Sequence, residues 1–157
     1  MGRRQREAVR FLAMEYYMFV LNRSFEITIS PTHLSGAWVR GMLAADAPAV
    51  YLARATGDAT DLVDRTRLTR SREQAPGSPE YMALHPANFS IPRKHINGMR
   101  FVSRNKWGMG PVPHSGRIYV RAGKKERELI LLGQQDGEGI IRSARSLGYL
   151  TSVEAAA

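Results

Sequence analysis

The side chains best placed to do chemistry are cations. Between residues 93 and 127 lie Arg93, Lys94, Arg100, Arg104, Lys106, Arg117, Arg121, Lys124, Lys125 and Arg127, with Glu126 the only acid. Ile118 and Val120 alternate with Arg117, Tyr119 and Arg121, so a strand here puts two guanidiniums and a phenol ring on one face. Arginine interleaved with an aromatic ring binds phosphates and stacks on bases. The anion-binding candidates are Arg100, Arg104, Lys106, Arg117, Arg121, Lys124 and Lys125, with Tyr119 and Trp107 as aromatic candidates. The same pattern has a plainer reading, because a sheet edge studded with cations is guarded against aggregation.

Other chemistries are weaker. His33, His85, His95 and His114 are scattered, without the HxH, HxxxH or HExxH spacings that mark metal sites. Asp58, Asp61 and Asp64 recur every three residues and would share one helical face, where three carboxylates can hold a divalent cation. Arg65, Arg67 and Arg70 beside them favour a solvated helix of mixed charge. Trp107-Gly-Met-Gly110 lacks the Gly-Lys-Ser/Thr ending of a P-loop and the third glycine of a dinucleotide fingerprint, so Trp107 is expected to pack beneath the sheet. Ser115 and Ser143 show no pattern of a nucleophile. No catalytic residue, metal ligand, cofactor or small-molecule substrate is assigned.

The 157 residues suit one domain with an adequate core. The absence of cysteine excludes a disulfide framework and a thiolate metal site. No apolar run reaches the roughly 20 residues of a membrane helix; Arg10–Leu21 comes nearest and is interrupted by Glu15. The expected location is the cytoplasm, with attachment to the membrane periphery left open by the charge. A net charge of +9, from 23 basic and 14 acidic residues, favours nucleic acid, anionic membrane or an acidic protein as partner. A generally basic proteome explains the same number.

The elements that must position these residues follow from periodicity. Residues 3–13 combine Arg3, Arg4, Arg6 and Arg10 with apolar positions of helical spacing, so 1–15 reads as a basic, helical amino-terminal segment. From Tyr17 the apolar residues alternate through Ile29. Strands are expected at 16–30, 34–43, 49–54, 89–92, 98–104, 116–121 and 127–132. Gly123 supplies the turn between the last two. Asp136 caps a final helix in which Ile140, Ile141, Ala144 and Leu147 share one face. Burying Ile140, Ile141 and Leu147 would contribute about 1.5–3 kcal/mol each. Residues 55–88, rich in Asp, Arg, Thr and Ser around Leu62, Val63 and Leu68, read as an insertion, a lid or a partner-binding arm. Residues 151–157 read as a disordered tail. The fold class is therefore mainly β (α+β), with one domain over 16–150.

Seven short strands closed by a carboxyl-terminal amphipathic helix resemble bacterial members of the pleckstrin-homology-like (PH-like) superfamily. The likeness lies in Ile91-Pro92 followed by Ile96, in Gly116-Arg-Ile-Tyr-Val120, in Glu128-Leu-Ile-Leu-Leu132 and in the helix from Asp136. It implies a seven-stranded barrel or sandwich and a non-enzymatic binding or assembly module that self-associates or meets a protein partner. Binding of nucleic acid or anionic lipid through the 93–127 surface is the alternative. An enzyme with the insertion as its lid comes third.

Overall fold

The computed structural model of the protein describes residues 8–154. Eight strands form one sheet: β1 (Val9–Tyr17), β2 (Leu21–Ile29), β3 (His33–Arg40), β4 (Phe89–Pro92), β5 (Ile96–Val102), β6 (His114–Ala122), β7 (Lys125–Leu132) and β8 (Thr151–Glu154). Their order is β4-β3-β2-β1-β7-β6-β5-β8, two antiparallel meanders joined where β1 meets β7, with β8 parallel to β5. The helices are α1 (Pro48–Thr56), α2 (Arg65–Arg72), α3 (Pro79–Ala83) and α4 (Gly137–Ser146). The protein is thus α+β and mainly β. Among the described residues no helix is long and apolar enough to cross a membrane.

The central strands are buried on both sides. On one side Phe11 and Ala13 of β1 and Leu129 and Leu131 of β7 pack with Ile140, Ile141, Ala144 and Leu147 of α4. On the other, Leu12 and Met14 of β1 and Ile130 and Leu132 of β7 pack with Val50 and Ala53 of α1, Leu62, Val63 and Leu68. A strand covered on both faces shows a continuous apolar run in place of alternation, which is why Phe-Leu-Ala-Met in β1 mimics helical spacing. The helix expected over 3–13 is therefore corrected: residues 9–17 are a strand, and residues 1–7 lie outside the described residues. The β1–β7 ladder has only two registered pairs, Ala13↔Leu131 and Met14↔Ile130. The Gln135 side chain continues it, accepting from Leu12 N at 3.0 Å and donating to the Leu12 and Leu132 carbonyls.

Two further expectations change, at 49–54 and 151–154, and the 55–88 segment gains its detail. The strand expected at 49–54 is helix α1: Pro48 sits in its first turn, Val50 and Ala53 turn inward, and Gly57 ends it with φ 73°. The segment 55–88 carries α2 and α3 and roofs the second face of the sheet. Asp64 N donates to Val39 O at 2.9 Å, and Arg72 forms a two-pronged pair with buried Glu26 at 2.7 Å. Finally, residues 151–154 of the expected tail are edge strand β8, while 155–157 lie outside the described residues.

Candidate functional site

The structure splits the basic cluster in two. Arg117, Tyr119 and Arg121 point away from the α4 side of β6, as the alternation requires, and β5 sets Arg100 opposite Tyr119. Three of the cations are spent here on acids. Arg100 lies over the Tyr119 ring at 4.1 Å and pairs with Glu154 at 2.8 Å and Glu126 at 3.6 Å. Lys106 Nζ reaches Glu128 Oε1 at 2.5 Å, and Arg117 approaches the other oxygen at 3.5 Å. Tyr119 Oη donates to Glu128 Oε2 at 2.6 Å while accepting from Arg117 Nη1 at 3.1 Å.

Burial alone would favour protonated Glu128, but hydrogen bonds from Lys106 and Tyr119 and the charge of Arg117 outweigh it, leaving the pKa below the ordinary glutamate value. Burial, then the bond to Glu128, pushes the Tyr119 phenol up. This neutralised network holds the sheet face, and its cations have little free charge for a phosphate.

The other four candidates differ. Arg121, Lys124 and Lys125 are exposed at the β6–β7 turn, and Arg104 is exposed after β5; none makes an ion pair among the described residues. Trp107, expected beneath the sheet, is 96% exposed. Its neighbours explain the correction. Lys106 is tied to Glu128 and to the His114 ring, and Met109 is buried where Tyr16 Oη meets its sulfur at 3.5 Å. Met109 takes the apolar seat, and Gly108, at φ 89°, lets the chain reverse with the indole outside.

The sharpest feature was not read from the sequence at all. The residues expected as one strand over 16–30 are a hairpin, with Tyr17 opposite Leu21 and Met18, Phe19 and Val20 forming the turn. Met18 and Phe19 adopt positive φ, 48° and 69°, where a bulky side chain crowds its own backbone. Met18 is 76%, Phe19 99% and Val20 71% exposed. Asn22 N contacts the sulfur of exposed Met42 at 3.3 Å, which brings a further apolar side chain to this end of the sheet.

That end is also the cationic one. Because β1 runs antiparallel to β7, the end of β1 lies beside the start of β7, so the β1–β2 and β6–β7 turns leave the sheet in the same direction. Arg127 of β7 pairs with Glu15 of β1 at 3.1 Å, and Arg23 of β2 joins the same carboxylate at 3.0 Å. Arg23 also lies over the Tyr17 ring at 4.4 Å. The base of the apolar turn is thus braced by charge, and its tip is bare.

Other candidates separate in space. Asp58 caps the short 3-10 turn at 59–62, Asp61 pairs with Arg65 at 2.7 Å, and Asp64 caps α2, so the three carboxylates do not share one face. His85 stacks on Trp38 at 4.1 Å, and its pKa is lowered by burial and by Arg67 and Arg23. His33 bonds its neighbour Thr32.

No family model and no curated protein matches the chain. Among solved structures it is similar to the hSac2 domain from human phosphoinositide phosphatase Sac2, at 8% identity and a TM-score of 0.42, over 96% of this chain and 82% of that one. A likeness so distant carries no argument. Fold and site together define a mainly β protein with an apolar, cation-flanked sheet end.

Proposed function

We propose that the chain is a non-enzymatic binding module of PH-like fold that attaches to anionic lipid bilayers by the end of its sheet where the β1–β2 and β6–β7 turns project. Two consecutive meanders followed by a helix packed on the apolar face support the barrel reading of the fold. Tyr149 Oη donating to Ser30 O at 2.8 Å and Arg93 Nη1 donating to Leu147 O at 3.1 Å, which tie the helix end to distant turns, support it too.

The observation that carries the functional reading is the Met18-Phe19-Val20 turn. A protein tolerates strained backbone and exposed apolar side chains together where the arrangement is used. Fully burying such a side chain contributes about 1.5–3 kcal/mol. A lysine or arginine near an anionic leaflet adds about 1 kcal/mol. Three apolar side chains with Arg121, Lys124 and Lys125 therefore suit reversible attachment. Self-association strengthens it, since two tips on one assembly bind as a pair.

The test is co-sedimentation of the full chain with phosphatidylcholine vesicles, with and without phosphatidylglycerol, beside a duplex DNA competitor. The expected result is binding to the anionic vesicles that DNA displaces poorly. Equal, negligible sedimentation with both vesicles contradicts it, and tight DNA binding with no vesicle binding transfers the surface to nucleic acid.

A further inference from the structure

The sheet ends on two unlike edges. At one, β4 is short and contains Pro92, which cannot donate to a neighbour. The 75–78 turn packs on the face beside it, where a Cβ on Gly77 would come within 2.7 Å of Ser90 Oγ and 3.4 Å of Ser35 Oγ. The other edge, β8, has no proline and no lysine, the guards that edges ordinarily carry. Ser152, Val153 and Glu154 are exposed along it, Val153 at 47%, and Leu150 just before it is 70% exposed.

The direction of the β8 backbone groups that have no partner among the described residues follows from the ladder. Leu150 O accepts from Met99 N at 2.8 Å, and Met99 stands in register with Thr151. Successive residues of a strand turn their N–H and C=O to opposite sides, so those of Ser152 and Glu154 face β5, and those of Thr151 and Val153 face outward.

We infer that β8 is a homodimer contact, on which β8 of a second copy pairs antiparallel about a twofold axis at Ser152. In that register Thr151 lies opposite the partner's Val153, and Val153 lies opposite the partner's Thr151. Both are pairs of outward-facing residues, so each exchanges two N–H···O bonds, and the strand complements itself. Thr151 and Val153 share the side of the sheet that α4 covers, so like side meets like side across the axis. Charge also permits the contact. On a chain of net charge +9, copies repel in general. At this edge Arg100 is matched by Glu154 and Glu126, and Arg145, whose Nε donates to Thr151 Oγ1 at 2.9 Å without an ion pair among the described residues, keeps some positive charge there, so the repulsion is lowered and not cancelled. A second copy is the occupant that fits, because about Ser152 the outward groups of Thr151 and Val153 meet those of Val153 and Thr151, and the exposed Leu150 and Val153 of both copies are brought to one seam.

The inference rests on the self-association part of the proposed function, and its test is separate from lipid binding. Sedimentation velocity of the full chain over a range of concentrations should show a monomer–dimer equilibrium. Val153→Pro removes an outward donor while leaving the bonds to β5 intact, and should raise the dimer dissociation constant at least about tenfold, equivalent to 1.4 kcal/mol, with unchanged melting. If Val153→Pro melts early, Val153→Lys, which keeps the backbone donor and adds a guarding cation, decides in its place with the same expected loss. A wild-type chain that stays monomeric at every concentration, or a well-folded edge variant that dimerises as tightly as wild type, overturns the inference. Vesicle binding that persists in a monomeric edge variant leaves the lipid reading standing by itself.

Discussion

The two turns at one end of the sheet solve the same problem in opposite ways. The β6–β7 turn places Gly123 at φ 61° and surrounds it with solvated lysines, the arrangement backbone sterics and water both favour. The β1–β2 turn needs the same left-handed backbone and fills it with Met18 and Phe19, then leaves both in solvent with Val20. Each left-handed residue costs about 1–2 kcal/mol, and glycine would remove most of that. A turn selected for stability alone would resemble Gly123. Under the proposed attachment to anionic bilayers, the functional demand falls on the tip of β1–β2, with the lysines of β6–β7 as its electrostatic guide.

The comparison can be broken or sharpened experimentally, beginning with the largest effect. Phe19→Asp should abolish sedimentation with anionic vesicles, because it removes the most exposed apolar ring and adds a repelled charge, while far-ultraviolet circular dichroism stays unchanged. Lys124→Glu with Lys125→Glu should weaken vesicle binding at least about tenfold, at roughly 1 kcal/mol per cation removed. Its residual binding should depend less on added salt than that of wild type.

A smaller effect concerns the neutralised face behind the tip. The pKa of Glu128 is depressed in the folded protein, so its contribution to stability is full above the unfolded value and is lost as pH falls through the folded one. Glu128→Gln should therefore flatten the acid limb of a stability–pH profile, measured by urea melts, below the ordinary glutamate range. If wild type and variant lose stability in parallel there, the network is not held by that carboxylate. The smallest effect is on the well-formed turn: Gly123→Ala should cost about 1 kcal/mol in a thermal melt and leave vesicle binding as it was.

Much of this architecture is legible in the residues. The alternation of Ile118 and Val120 with Arg117 and Tyr119, the Leu129–Leu132 run and the spacing of Ile140, Ile141, Ala144 and Leu147 foretell β6, β7 and α4. What hides the rest is burial on two faces. Leu12 and Met14 belong to one core, Phe11 and Ala13 to the other, and no period-two signal survives in β1. The β1–β2 turn is hidden for a related reason. Tyr17, Phe19 and Leu21 continue the alternation through it, and no glycine, proline, asparagine or aspartate marks Tyr17–Leu21. Of the basic candidates, Arg104, Arg121, Lys124 and Lys125 are exposed and make no ion pair among the described residues. For Arg100, Lys106 and Arg117 the pairing with Glu154, Glu126 and Glu128 depends on strand register and on β8 lying beside β5, which spacing within 93–127 does not reveal.

The most direct measurement compares wild type with Phe19→Gly in two assays on the same samples, thermal melting and co-sedimentation with anionic vesicles. The account predicts a variant stabilised by up to about 1 kcal/mol that sediments with the vesicles at least about tenfold more weakly, reflecting the lost apolar burial. A Phe19→Gly protein that binds the vesicles as well as wild type would contradict it.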